Sequence, residues 1–139
     1  MFFAIRGTQA DGHRYIDSAI EKGTIAIVCE SIPENLHSDV TYIKVADSSI
    51  ALGQFSASYY NHPARELKMV GITGTNGKTT TVTLLFRLIN ALGGKAGLIS
   101  TVQNQIGDKV IASTHTTPDA LELNKLLRSM VDEGCSHCF

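Results

Sequence analysis

One stretch rich in glycine and threonine contains residue types that could hold phosphate. Residues 71–93 read GITGTNGKTTTVTLLFRLINALG, with a lysine directly after a glycine and an apolar-periodic segment behind it. When a strand feeds such a turn and then a helix, backbone N–H groups point inward and the helix dipole adds its positive end. The sequence therefore predicts a phosphate cradle here.

The residues of this stretch have separate predicted roles. Gly74 and Gly77 lack a Cβ and allow close approach of the backbone, Lys78 can reach a β- or γ-phosphate, and the Thr79 hydroxyl can ligate Mg²⁺. The usual pattern G-x-x-x-x-G-K-[ST] is met only as a variant, because Ile72 stands where the first glycine would be. A simple turn before a helix would use the same residue types, and that alternative stays open.

Strands and helices alternate around the glycine-rich turn. The predicted elements are strands over 69–73, 95–99 and 135–139, a hairpin around Gly107-Asp108, and helices from Gly77 to Gly93-Gly94 and over 118–134. Parallel strands separated by helices require crossover connections. The fold class is therefore predicted as α/β, with a P-loop ATPase-type module that has a mostly parallel sheet.

Both predicted helices carry apolar residues at helical spacing. The first helix has one apolar face, made of Leu85, Leu88, Ile89 and Leu92. On the second helix the face consists of Leu123, Leu126, Leu127, Met130 and Val131. We interpret this second face as core packing, because its spacing calls for no cofactor.

The first half of the chain predicts a smaller module. FFAI is typical of a strand, DGHRYIDSAIEKG of a short helix and TIAIVCE of a buried strand, which together give a βαβ order. A further strand, VTYIKVAD, and a helix, SIALGQFSASYY, follow. The polar stretch NHPARE is the predicted boundary between domains 1–64 and 65–139. His13 is predicted to lie on the surface of the short helix.

Composition excludes several classes of protein. The chain has 139 residues, a formal net charge of −1 and no run of like charges, so neither nucleic-acid binding nor an interaction tail is predicted. No window is apolar for long enough to cross a membrane, and a cytoplasmic monomer is expected. Cysteine occurs three times, which disfavours a disulfide framework. The CSHC spacing at 135–138 leaves two alternatives, a redox or metal half-site and a strand with inert side chains.

The motifs together resemble one known family. GTNGKTT preceded by GIT closely resembles the ATP-binding loop of the Mur ligase family, the ATP-dependent amide-forming enzymes of peptidoglycan assembly. FFAIRGTQADGH is similar to the first domain of that family, and GLISTVQNQIG with HTTPDALELNKLL to its central domain. The loop alone also fits folylpolyglutamate synthetases. The motifs DGH and TTPD favour the branch that adds a diamino acid, diaminopimelate or lysine, to UDP-MurNAc-L-Ala-D-Glu.

The resemblance implies specific site residues. It places ATP on Gly74, Thr75, Asn76, Gly77, Lys78, Thr79 and Thr80, with Lys78 catalytic and Mg²⁺ on Thr79, and the UDP-muramoyl-dipeptide on Thr8, Gln9, Ala10, Thr116 and Thr117. Two hydroxyls suit a polar ligand that carries phosphate and carboxylate groups. Thr117-Pro118-Asp119 would also start the following helix well, and both roles are compatible. His115 is predicted to be a loop histidine.

The resemblance also implies a reaction, and it implies functional groups for that reaction that this sequence does not contain. ATP would convert a substrate carboxylate to an acyl phosphate, which the incoming amine attacks. Further Mg²⁺ ligands, a carbamylated lysine and the amine-binding domain are expected beyond Phe139, so we expect a fragment that is inactive alone. Two rival classes remain, namely a P-loop phosphotransferase, kinase or GTPase, and a non-catalytic nucleotide-binding module.

Overall fold

The computed structural model describes residues 1–7, 10–111 and 118–139. Contacts divide the chain into two compact units, Met1–Phe55 and Ser56–Phe139. The elements in chain order are β1 (Phe2–Phe3), a 3₁₀ turn (Gly12–Tyr15), α1 (Ile16–Glu21), β2 (Ala26–Cys29), β3 (Thr41–Lys44), α2 (Ser48–Tyr59), a 3₁₀ turn (Pro63–Arg65), β4 (Lys68–Met69), α3 (Lys78–Ala91), β5 (Ala96–Ile99), β6 (Asn104–Ile106), β7 (Lys109–Ile111), α4 (Ala120–Asp132) and β8 (His137–Cys138). None of the helices in these ranges has the length and apolar character that a membrane crossing requires.

The first unit is built on a three-stranded parallel sheet in the order β1-β2-β3. In its register, Ile27 of the central strand pairs with Phe2 on one side and Tyr42 on the other. Apolar side chains from this sheet and α1 form the core of the unit, including Ala4, Ile16, Ile27 and Cys29. The βαβ order predicted for the first half of the chain is confirmed.

The second unit contains a five-stranded sheet in the order β4-β8-β5-β6-β7. The pairs β4–β8 and β8–β5 are parallel, whereas β5–β6 and β6–β7 are antiparallel. The antiparallel part contains the predicted hairpin, with Gly107 in its turn at a φ of 55°. The α/β fold class is confirmed, and a parallel core of three strands is extended by a hairpin at one edge.

Side chains of alternate residues in the sheet face different core clusters. Ala96 and Leu98 of β5 pack with the α3 residues Val82 and Phe86, and Phe139 joins this cluster. The other cluster lies against α4 and contains Leu67, Ile106, Leu127, Met130, Cys135 and Cys138, with Leu123, Leu126 and Val131 packed against it. The predicted core face of α4 is therefore confirmed.

Two of the four residues predicted to form the apolar face of α3 are exposed, so the prediction is wrong for these two. Leu88 and Leu92 are 52% and 75% exposed, whereas Val82 and Phe86 are buried. Leu85 and Ile89 lie between these groups and are partly buried against the same cluster. The helix has leucines on several sides, so spacing alone offers more than one apolar stripe. The position of the sheet selects the stripe that contains Phe86.

The stretch NHPARE, predicted as a boundary, is structured within the second unit. Pro63 is buried in its 3₁₀ turn. The adjoining Glu66 accepts a hydrogen bond from Nη1 of Arg128 on α4, at 2.7 Å. The contact boundary falls earlier, inside α2. The domain ranges 1–64 and 65–139 stay a prediction.

The three cysteines are free and buried. Burial raises the pKa of the Cys29 and Cys135 thiols, and it raises that of Cys138 to about 12. A protonated thiol is a poor nucleophile and a poor metal ligand. No cluster of three or more His, Cys, Asp or Glu suited to a metal occurs among the described residues. The structure favours inert side chains in the CSHC stretch.

We predict that Phe86→Ala lowers the free energy of unfolding by about 3–5 kcal/mol, because it leaves a cavity between α3 and β5. The matched change Leu88→Ala, on the same helix but 52% exposed, should alter it by less than about 1 kcal/mol. Urea unfolding followed by circular dichroism measures both. Equal losses for the two variants would show that α3 does not pack through Phe86.

We also predict that iodoacetamide leaves the three cysteines of the folded chain unmodified at pH 8. Their thiols are buried and their pKa values are raised, so little thiolate is available. Intact-mass spectrometry should show no alkylation under native conditions and three additions in urea. Rapid native modification of Cys138 would contradict its position in the core.

Candidate functional site

A cleft lies at the carboxyl end of the parallel strands in the second unit. Its volume is about 280 Å³. Parallel strands place the loops that follow them along one edge of a sheet, where ligands commonly bind. The residues that line the cleft are Val70, Gly71, Ile72, Lys78, Thr79, Val82, Ile99, Ser100, Thr101 and Phe139. The cleft therefore combines the start of α3 with the segments that follow β4, β5 and β8.

The start of α3 is shaped by a glycine in left-handed conformation. Gly77 precedes the helix with a φ of 80°, and Gly74 also has a positive φ. A residue with a Cβ would be strained at Gly77, which explains glycine there. Gly77 makes no side-chain cap, and the first turn of α3 contains no acidic residue. An external anion can therefore meet the positive end of this helix.

Lys78 stands beside this helix start. Its Nζ donates to the carbonyl oxygen of Gly74 and lies 3.4 Å from that of Thr75. The side chain is exposed and lines the cleft. The loop carbonyls thus hold the ammonium group over the turn. A single positive charge above a helix N-terminus suits a phosphate group.

The threonines after Lys78 separate into different environments. Thr79 is half-buried and lines the cleft. Thr80 is exposed, as are Thr75 and Asn76 of the turn, and none of these three contributes to the cleft wall. The Thr81 hydroxyl instead donates to the carbonyl of Gly77 at 2.9 Å. Among these threonines, Thr79 has the hydroxyl best placed for a ligand in the cleft.

The segment after β5 belongs to the cleft, although it was not among the predicted site residues. Ser100 and Thr101 form part of the cleft wall. The Ser100 hydroxyl donates to the carbonyl of Gln103 at 2.8 Å, and the Ser100 N–H donates to the buried Asn104 at 3.3 Å. These bonds fix the loop and leave Thr101 exposed beside the cleft. These residues directly follow a predicted parallel strand, and that position in the sequence could have indicated their place in the cleft.

Most residues predicted to contact the UDP-muramoyl-dipeptide lie outside the described part of the chain. These are Thr8, Gln9, Thr116 and Thr117, together with the neighbouring His115. Ala10 is described, and it is exposed. Its carbonyl accepts a hydrogen bond from the Gly7 N–H at 2.9 Å. This bond holds the backbones of Gly7 and Ala10 together.

His13 does not lie free on a helix surface as predicted. Its side chain is 14% exposed. Nδ1 lies 2.7 Å from Oδ1 of Asp11, and Nε2 accepts a hydrogen bond from the Glu30 N–H at 3.1 Å. Glu30 is distant in sequence, so local spacing could not indicate this contact.

The cleft has hydrogen-bond donors suited to the phosphates of a nucleoside triphosphate and hydroxyl oxygens suited to its metal ion. The described residues that line it include a lysine and several hydroxyls, and none of these described residues carries a carboxylate. A magnesium ion here would take oxygen ligands from the Thr79 hydroxyl and from phosphate, which are the ligand types it prefers. The arrangement can bind a phosphate chain and neutralise charge on it.

Known proteins share both the sequence and the fold. The chain is 57% identical over 140 residues to the UDP-N-acetylmuramoyl-L-alanyl-D-glutamate–2,6-diaminopimelate ligase of Cytophaga hutchinsonii, covering 100% of this chain and 29% of that protein. A solved structure of a ligase with the same name has a TM-score of 0.71 at 21% identity, over 91% of this chain and 25% of that one. The MurF ligase of Thermotoga maritima, solved in complex with ADP, matches 68% of this chain and 21% of its own at 28% identity and a TM-score of 0.51.

Two family models match consecutive parts of the chain. Residues 1–60 match the model described as Mur ligase family, catalytic domain. Residues 72–139 match the model described as Mur ligase middle domain. Together the two matches include all of the first unit and most of the second. The chain belongs to the Mur ligase family.

Proposed function

We propose that this chain supplies the ATP-binding and UDP-substrate-binding parts of a ligase that adds a diamino acid to UDP-MurNAc-L-Ala-D-Glu. The observation that carries the proposal is the cleft at α3, where Lys78 stands over a helix start that has no side-chain cap. The high identity to a relative named as a diaminopimelate ligase supports the choice of substrates. Diaminopimelate is accordingly the favoured diamino acid.

The proposed reaction proceeds in two displacements. An oxygen of the dipeptide carboxylate attacks the γ-phosphorus of ATP, the bond to the β-phosphate oxygen breaks, and ADP leaves. The amine then attacks the carbonyl carbon of the acyl phosphate, inorganic phosphate leaves, and the nitrogen loses a proton to give the amide. Lys78 neutralises charge on the transferred phosphoryl group, and Gly74–Thr80 hold the phosphate chain. Magnesium bound at Thr79 would supply further charge neutralisation.

The remaining roles follow the same proposal. Thr8, Gln9 and Ala10 of the first domain, residues 1–64, contact the uridine-bearing substrate. Thr116 and Thr117 of the central domain, residues 65–139, donate hydrogen bonds to its polar groups. The enzyme acts as a monomer in the cytoplasm, where ATP is available.

The intact ligase should form UDP-muramoyl-tripeptide only when ATP, Mg²⁺, the dipeptide substrate and diaminopimelate are all present. If the reacting carboxylate carries ¹⁸O, one ¹⁸O should appear in the released phosphate, because that oxygen bridges carbon and phosphorus in the acyl phosphate. Mass spectrometry measures both products. Phosphate without ¹⁸O, or GTP used in preference to ATP, would contradict the proposal.

Lys78→Ala should weaken ATP binding by about 10- to 100-fold, because one charge-assisted hydrogen bond contributes roughly 1.5–3 kcal/mol. The matched control is Lys125→Ala, an exposed lysine on α4 that lies away from the cleft. Calorimetric titration of the intact ligase compares the two variants with the parent. Parent-like affinity in Lys78→Ala would remove this residue from the site.

A further inference from the structure

The loop that follows β5 forms part of the cleft wall in the second unit. It consists of residues 100–103 and joins β5 to β6, and the residues that flank it, Ile99 and Asn104, are paired with each other. The Ile99 N–H also donates to the carbonyl of Phe139 at 2.8 Å, and Asn104 also pairs with Ile111 of β7. Both ends of the loop are therefore anchored in the sheet. We call residues 100–103 the wall loop.

The first residue of β6 is a buried asparagine. Asn104 is only 5% exposed, and asparagine is a residue type that strands disfavour. Burying a side-chain amide costs free energy unless its polar atoms are hydrogen-bonded. Oδ1 of Asn104 accepts a hydrogen bond from the Ser100 N–H at 3.3 Å. The amide thus connects the sheet to the first residue of the wall loop.

The Ser100 side chain extends this connection through the rest of the wall loop. Its hydroxyl donates to the carbonyl of Gln103 at 2.8 Å. The same oxygen accepts hydrogen bonds from the N–H groups of Val102 and Gln103, at 3.3 and 3.2 Å. Thr101 lies between residues that these bonds hold. The place of Thr101 in the loop is therefore determined by the bonds of the residues on either side of it.

Thr101 supplies a hydroxyl to the cleft from the wall loop. It is exposed, and it lines the cleft together with Lys78 and Thr79 at the start of α3. The Ser100 hydroxyl also lines the cleft, but its proton is donated to the protein backbone. A phosphate held at the start of α3 would present several charged oxygens, and a hydroxyl makes a strong hydrogen bond to such an oxygen. Thr101 is therefore the residue of the wall loop best suited to donate to a bound phosphate.

Stability of the sheet alone would favour an apolar residue at position 104. Ile106 lies two residues further along β6 and belongs to the apolar cluster against α4. Residues two apart on a strand share a face, so an apolar side chain at position 104 would lie on the same face as Ile106. Asparagine breaks this local preference, and such exceptions are expected where a residue serves a site. The contact from Asn104 to Ser100 points to the cleft wall as that site.

We propose that Asn104 is a positioning residue for ATP binding, which holds the wall loop through Ser100 so that the Thr101 hydroxyl donates to a phosphate oxygen of ATP. This inference rests on the proposed function, since the cleft is the proposed ATP site. Asn104 acts through Ser100 and Thr101 and need not touch ATP itself. A loop that is already fixed in the free protein lowers the entropic cost of binding, because less of the chain has to be ordered.

The test is a double-mutant cycle on the ATP affinity of the intact ligase, measured by calorimetric titration. Thr101→Val removes the hydroxyl at nearly the same shape, and should weaken ATP binding by about 10-fold, the value of one hydrogen bond to a charged group. Asn104→Leu removes the Oδ1 acceptor, and should weaken ATP binding by about 2- to 10-fold, the value of one neutral hydrogen bond. The double variant should bind ATP like Thr101→Val alone, because both residues act through the same contact.

Three further variants serve as controls. Thr101→Ser keeps the hydroxyl and should bind ATP like the parent. Val102→Ala changes a side chain of the same loop that is 74% exposed and is not among the described residues lining the cleft, so it should also bind ATP like the parent. Asn90→Leu is the matched loss of an amide, because Oδ1 of Asn90 accepts from the Ala96 N–H at 3.2 Å at the other end of β5. Its effect should add to that of Thr101→Val.

The outcomes separate this inference from the proposed function. If the parent binds ATP but Thr101→Val binds it equally well, or the losses in Thr101→Val and Asn104→Leu simply add, the positioning role is wrong and the proposed function stands. If Thr101→Val weakens binding of the UDP-muramoyl-dipeptide and not of ATP, the role is also wrong. If the parent does not bind ATP, both are wrong.

Folding of the variants is checked by circular dichroism. Asn104→Val places a smaller residue that strands favour at the same position, and it replaces Asn104→Leu in the cycle if the leucine variant does not fold. Unfolding of both variants would assign Asn104 to the stability of the sheet and overturn the positioning role.

Discussion

The location of the polar residues in both units depends on parallel pairing between short strands. A parallel pair requires the chain to cross back over the sheet, so the segments that follow the strands meet along one edge. In the first unit, Arg6 and Glu30 follow β1 and β2. In the second, the glycine turn and Ser100 follow β4 and β5. The strands themselves are only two to four residues long here, and the chemistry lies just beyond them.

The three longer helices differ in whether a carboxylate caps the positive end of the helix dipole. At α2, Oδ1 of Asp47 accepts from the N–H groups of Ser49 and Ile50, each at 2.8 Å. At α4, Asp119 accepts from a backbone N–H at 2.8 Å. α3 is preceded by Gly77, which has no such side chain. A carboxylate at that position would compete with phosphate for the same helix end, so its absence there is consistent with an external anion.

Local patterns in the sequence predicted those features that depend on neighbouring residues. The βαβ order, the hairpin at Gly107, the core face of α4 and the strand-turn-helix around Gly77 are all of this kind. Features that depend on distant residues were not predicted. The burial of Phe86 in preference to Leu88 depends on which side of α3 meets the sheet. The contact of His13 with Glu30 and the position of Thr101 in the cleft wall likewise arise only when separate strands are brought together.

The strand order of the second unit has a consequence for how the chain folds. β8 lies between β4 and β5, and Lys68 of β4 pairs with His137 of β8. The first strand of this unit therefore has no partner on that side until nearly the whole unit has been synthesised. Contacts of such high sequence separation slow folding, because loop-closure entropy is lost before the contacts form. On the ribosome β4 would stay unpaired on that side until β8 emerges, so this part of the sheet should form late.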